Sequence, residues 1–133
     1  MGTLQSNSSG NPAAVSQAAA VAAFEGPQDF LAEWCEIFRR RRDLVVAGIN
    51  AIPGLSTPVP DGAFYCFIDA TPHMARNGGR FGDDKALALH LLDHGVAVVA
   101  ASAFGGKDGF RISFATSEDV LEEAIRRIET ALV

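Results

Sequence analysis

From Gly109 to Ser117 the chain reads GFRISFATS, so that Phe110, Ile112 and Phe114 alternate with Arg111, Ser113 and Ala115. A period of two with one apolar face predicts a strand. AFYCFIDA, Ala63–Ala70, is apolar at both alternate sets of positions, Ala63, Tyr65 and Phe67 against Phe64, Cys66 and Ile68, and predicts a second strand buried on both faces. VAVVA, Val96–Ala100, predicts another buried strand.

A different period marks the helices. PAAVSQAAAVAAFEG is an alanine-dense stretch with Pro12 at its opening and Gly26 at its end, the expected asymmetry of a helix. From Pro27 a longer helix is predicted, with Phe30, Trp34, Ile37, Phe38, Leu44, Val45 and Ile49 recurring at three and four, and Glu36 placed to pair with Arg40. DDKALALHLLDHG predicts a short helix, with Asp83 or Asp84 at its start, His94 near its end and Gly95 as its stop. After Ser117 a final helix buries Val120, Leu121, Ala124, Ile125, Ile128 and Leu132, with Glu122–Arg126 and Glu123–Arg127 pairs on its exposed side. Gly2–Asn11 and TPHMARNGGRFG, from Thr71, read as loops, and ASAFGGKDG as a glycine-rich turn. The expected fold is α+β, a small, mainly antiparallel or mixed sheet of three principal strands packed against helices that cover it on one side.

Composition changes this picture little. The 133 residues carry a net charge of −5, which argues against a nucleic-acid binder acting through a basic face. No apolar run reaches the roughly 18 residues of a membrane span. Cys35 and Cys66 form no CxxC, so neither a zinc knot nor a disulfide framework is indicated, and a reducing, cytoplasmic setting fits. The Arg39–Arg42 run points in four directions on a helix and reads as a solvated face with one arginine lying along the apolar stripe.

Candidate chemistry is sparse. His90 and His94 share a helix face at i, i+4, but no third metal ligand accompanies them, and a solvated pair is the simpler reading. Gly78-Gly79 and Gly105-Gly106 fit no phosphate-binding pattern. Arg111 stands out. A strand arginine reaches solvent, pairs with an internal acid, or offers its planar donors to a ligand anion. Pattern alone ranks a structural ion pair or a solvated arginine ahead of a ligand site.

The order of motifs reverses that ranking. The segments LQSNSSGNPAAVSQAAAVAAFEGPQDF, RRRRDLVVAGINAIPGL, PDGAFYCFID, GVAVVAASAFG and GFRISFATSEDVLEEAIRRI together resemble the C-terminal portion of a fold-type-I, pyridoxal-phosphate-dependent aminotransferase, most like the aspartate and aromatic amino acid aminotransferases. The resemblance implies that Arg111, the arginine of the RIS(Y/F)ATS-like motif, grips the substrate α-carboxylate. It implies a complete enzyme that uses pyridoxal phosphate, transfers an amino group between an amino acid and a 2-oxo acid, and forms a homodimer. It also implies that residues 1–26 are a remnant of the large, cofactor-binding domain and 27–133 the small domain.

The Schiff-base lysine of that family lies in the large domain. Lys85 and Lys107 match no such motif, so no catalytic or cofactor-binding residue is assigned here, and this chain alone is expected to be inactive. Two departures from the family pattern stand out. Ala100-Ala101 replace a Pro-Gly pair, removing residues that would preset the turn, and Gln5–Asn11 carries no arginine of the kind that selects dicarboxylates in some relatives. The alternative function is a non-catalytic α+β module that binds a small carboxylate or another protein.

Overall fold

The computed structural model describes residues 2–8, 11–76 and 81–132. In chain order these form α1 (Gly2–Ser8), α2 (Ala14–Glu25), α3 (Phe30–Ala51), β1 (Tyr65–Asp69), α4 (Thr71–Arg76), α5 (Asp84–Asp93), β2 (Val99–Ala100), a 3-10 turn (Ala101–Phe104), β3 (Gly109–Ser113) and α6 (Glu118–Leu132). The chain divides into two units, Met1–Trp34 and Cys35–Val133.

The first unit is helical. α2 follows Pro12-Ala13 as its composition predicts, and the Gly26 N–H donates to the Ala22 carbonyl as the helix ends. None of its side chains is buried, Val15, Val21 and Phe24 included. α1 corrects the expected loop over Gly2–Ser8, while Ser9 and Gly10 lie outside the described residues. Ser and Asn cost only a few tenths of a kcal/mol relative to good helix formers, too little to forbid two helical turns.

The second unit is an α+β domain with an antiparallel sheet in the order β1-β3-β2. β3 is central, with Phe67 of β1 and Val99 of β2 both opposite Arg111. Cys66, Ile68 and Phe110 face inward onto Val45 and Ile49 of α3, Leu87 and Leu91 of α5, and Leu121 and Ile128 of α6. Each fully buried side chain of this size contributes about 1.5–3 kcal/mol, so this one-sided core accounts for the domain's cohesion.

Within this unit α3, α5 and α6 pack on one face of the sheet, and the other face is open at Phe67 and Val99. The two strands expected to be buried on both faces are therefore half-open: Phe67 keeps 49% of its surface exposed and Val99 keeps 41%. VAVVA pairs only at Val99–Ala100. The free edge of β1 is held instead by the Ser56–Asp69 bridge and by the Thr57 hydroxyl, which donates to the Phe67 carbonyl at 2.9 Å. The Asn50 side chain pairs with both backbone groups of Thr57, tying this link to α3.

Other local expectations shift in detail. α3 begins at Phe30 rather than Pro27. Thr71–Arg76 is helical, not loop: the Asp69 carboxylate accepts the Thr71 N–H at 2.8 Å and starts α4 despite the Pro and Gly around it. Gly78-Gly79 lie outside the described residues. Glu36 pairs with Arg39 instead of Arg40, and Arg40 reaches across to Glu118. Glu123 takes both Arg126 and Arg127. The Arg39–Arg42 run does fan out, with Arg41 lying over the Phe38 ring and Arg42 on Asp43.

Candidate functional site

Strand alternation sends Arg111 to the open face of the sheet, together with Tyr65 and Phe67 of β1 and Val99 of β2. There its guanidinium stacks between two rings. The Cζ atom lies 4.0 Å from the centre of Tyr65 and 3.9 Å from the centre of Phe104. Phe104 in turn meets Phe67 edge-on at 5.6 Å between ring centres. A cation over an aromatic face gains about 0.5–1 kcal/mol when exposed and about 2 when desolvated, so two rings restrain this side chain firmly.

Both rings meet the guanidinium at its carbon, and neither ring accepts the in-plane hydrogen bonds that its five N–H donors can make. Among the described residues no carboxylate forms an ion pair with Arg111; the ion pairs lie on α3 and α6. The side chain is half-buried. A planar, oriented edge with unspent donors is the arrangement that receives a carboxylate by two parallel hydrogen bonds.

Phe104 reaches this position from the 3-10 turn that joins β2 to β3. The turn is closed by hydrogen bonds from the Gly105 N–H to the Ser102 carbonyl and from the Gly106 N–H to the Ala101 carbonyl, with Gly105 at φ +78°. The Ser102 N–H donates to the Asp84 carboxylate at 2.6 Å. Asp83 caps α5 by accepting the Ala86 N–H, which leaves Asp84 directed at the turn.

The remaining sequence candidates sit apart from this face. His90 and His94 are 4.4 Å apart between ring centres, yet His90 is not a solvated group. Its Nε2 donates to the Ala131 carbonyl at the end of α6, because α5 packs beside that helix end. His94 Nδ1 donates to the His90 carbonyl and closes α5. No cluster of three or more metal-ligating side chains occurs among the described residues. Lys85 on α5 and Lys107 in the turn are both exposed. A cleft of about 230 Å³ lies between α6, Val45 and the Gly95–Ala97 segment, and Arg111 does not line it. No helix among the described residues is long and apolar enough to cross a membrane.

Residues 3–128 match the family model for class I and II aminotransferases, and the chain belongs to that family. It is 47% identical over 133 residues to an aspartate/prephenate aminotransferase of Cereibacter sphaeroides and 50% identical over 135 residues to an aspartate aminotransferase of Rhizobium meliloti. Those matches cover 97% and 98% of this chain but 33% of each relative, so the chain spans about a third of their length. The fold agrees. The crystal structure of the Rhizobium meliloti aspartate aminotransferase superposes with a TM-score of 0.81 at 47% identity, over 98% of this chain and 34% of that one. The Thermus thermophilus aspartate aminotransferase with maleate gives 0.83 at 33% identity, over 97% of this chain and 32% of that one. The chain is a C-terminal portion of an aminotransferase, as its motifs suggested.

The family implies pyridoxal phosphate. The described residues around Arg111 do not fit that cofactor. Tyr65, Phe67, Val99 and Phe104 offer no amine for a Schiff base, and the Asp69 carboxylate at the far end of β1 is taken by Thr71. Tyr65, Phe104 and Asp84 escaped the sequence-based reading of the site. The alternation in β1 does place Tyr65 on the Arg111 face, whereas nothing in the pattern signals that Phe104 folds back over it.

Proposed function

We propose that this chain supplies the substrate-carboxylate arm of a pyridoxal-phosphate-dependent, aspartate-type aminotransferase, an enzyme that moves an amino group between an amino acid and a 2-oxo acid. The supporting observation is Arg111 itself: a strand guanidinium clamped between Tyr65 and Phe104, with no acid paired to it among the described residues. Holding the plane fixed before substrate arrives reduces the rotamer entropy lost on binding. Small Ser113 and Ala115 beyond it leave the approach uncrowded.

In this reading residues 1–26 belong to the large domain and 27–133 to the small one. Lysine and cofactor chemistry come from the large domain, the complete protein is a cytoplasmic homodimer, and the 133-residue chain alone does not transaminate. The Thermus relative was crystallised with maleate, a dicarboxylate, which makes maleate the natural inhibitor to try. The test is Arg111→Leu in the complete enzyme. Loss of two charge-assisted hydrogen bonds, about 1.5–3 kcal/mol each, lowers kcat/KM about 100-fold or more and weakens maleate inhibition in parallel. An unchanged kcat/KM for both the amino and the 2-oxo acid refutes the assignment.

A further inference from the structure

The stack on Arg111 depends on the 101–104 turn, and the structure shows what holds that turn in place. Asp84 is 5% exposed, a burial that carboxylates tolerate only with good partners. It occupies the first position of α5, where unpaired backbone N–H groups favour a negative charge. From there its Oδ2 accepts the Ser102 N–H at 2.6 Å, bridging 18 residues of sequence. Ser102 lies two residues before Phe104, in the same 3-10 turn, and the Phe104 ring covers one face of the Arg111 guanidinium.

We propose that Asp84 is a positioning residue for Arg111, acting through the 101–104 turn and the Phe104 ring. The functional meaning of this rests on Arg111 being the carboxylate arm; the mechanical link between the two residues does not. Ala100-Ala101 leave the turn backbone without a proline to limit it. A charge-assisted hydrogen bond from a buried carboxylate supplies the missing restraint. When the bond is lost, the turn relaxes, Phe104 leaves the stack, and the guanidinium edge loses its fixed aim.

Two measurements test this. In the NMR spectrum of the whole 133-residue chain, the δ-methylene protons of Arg111, next to a guanidinium whose Cζ lies about 4 Å from two ring centres, are expected to resonate upfield. Asp84→Ala moves them at least halfway to the free-arginine position. Asp84→Asn, whose amide oxygen still accepts the Ser102 N–H, keeps them upfield. Phe104→Leu reproduces the alanine effect with Asp84 intact. If Asp84→Ala does not fold, Asp84→Glu displaces the acceptor while keeping the charge, and the same shift is expected. Arg111 protons that stay at their wild-type position in Asp84→Ala, or in Asp84→Glu when that variant stands in, overturn the proposal.

In the complete enzyme Asp84→Ala raises KM for the amino acid about tenfold, the equivalent of about 1.4 kcal/mol, while kcat stays within about twofold; Asp84→Asn restores KM. A drop in kcat with KM unchanged assigns Asp84 a different role and overturns the proposal. If Arg111→Leu leaves kcat/KM unchanged, the carboxylate reading fails and takes the functional half of the proposal with it, whereas the proton shifts report the mechanical link independently.

Discussion

Replacing Gly109 by Ala tests how tightly the sheet that carries Arg111 is assembled. Gly109 is buried at the start of β3, opposite Asp69 of β1. A Cβ built on it would lie 2.1 Å from the Ile68 carbonyl oxygen and 3.2 Å from its carbon, where ordinary contact begins at 3.4 Å. The obstacle is backbone within the sheet, so no side chain can swing away to relieve it. Two opposing effects decide the sign. Where the conformation is compatible, Gly→Ala stabilises by about 0.4–1 kcal/mol through the unfolded chain. Here β1 and β3 must separate, which adds about 1–3 kcal/mol of overpacking to a weakened ladder bond of about 1 kcal/mol. The expected net loss is about 2–3 kcal/mol, or a fall in Tm on the order of 10–20 °C for a domain of this size. Urea denaturation followed by circular dichroism should show a lower midpoint with an unchanged slope. A midpoint equal to or above that of the parent would mean that Gly109 is merely a flexible residue and that the close strand approach is not required.

Other outcomes follow from single groups. Hydrogen bonds from Arg126 and Arg127 hold the Glu123 carboxyl down to about 2, from an ordinary 4.5. Because the folded-state value is the lower one, the stabilisation is complete above about pH 4.5 and is lost as pH falls from there towards 2. Glu123→Gln should therefore flatten that part of the stability–pH curve; a curve unchanged from the parent contradicts the pairing. The effect is small, since the group faces solvent. Burial pushes the Cys66 thiol up, against a weaker opposing hydrogen bond with Thr57, while Cys35 is exposed. A thiol reagent should modify Cys35 in the native chain and reach Cys66 only as the domain opens. Two thiols reacting together in native buffer would contradict the buried placement.

How much of this was legible in the sequence follows the range of the forces involved. Regular periods were readable. Arg111 on a two-period strand, Leu121 and Ile128 on the buried stripe of α6, and Val45 and Ile49 on α3 all lie where alternation or helical spacing put them. The α+β class, a small sheet covered by helices on one side, was legible for the same reason. Alternation tells which side chains share a face but not which face is covered, so Phe67 and Val99 were expected to be buried and are open. α4 was hidden because its start depends on the carboxylate of Asp69, a strand residue, whereas local composition speaks for a loop. The aromatic clamp was invisible for a longer-range reason. Phe104 covers Arg111 only because a 3-10 turn folds it back, and that turn is anchored by Asp84, 18 residues upstream. Likewise His90, which read as a solvated helix residue, bonds to the Ala131 carbonyl of another helix.

The central claim, that the Arg111 guanidinium is kept in the sheet to receive a substrate carboxylate, is tested most directly by comparing an amino acid with the amine that lacks its α-carboxylate. In the complete enzyme, kcat/KM for the amino-transfer half-reaction is measured for both compounds, in the parent and in Arg111→Leu. The account predicts that the parent prefers the amino acid by about 100-fold or more, and that the variant loses this preference by slowing on the amino acid alone. If the variant slows equally on both compounds, or keeps the parent's preference, Arg111 does not hold the carboxylate.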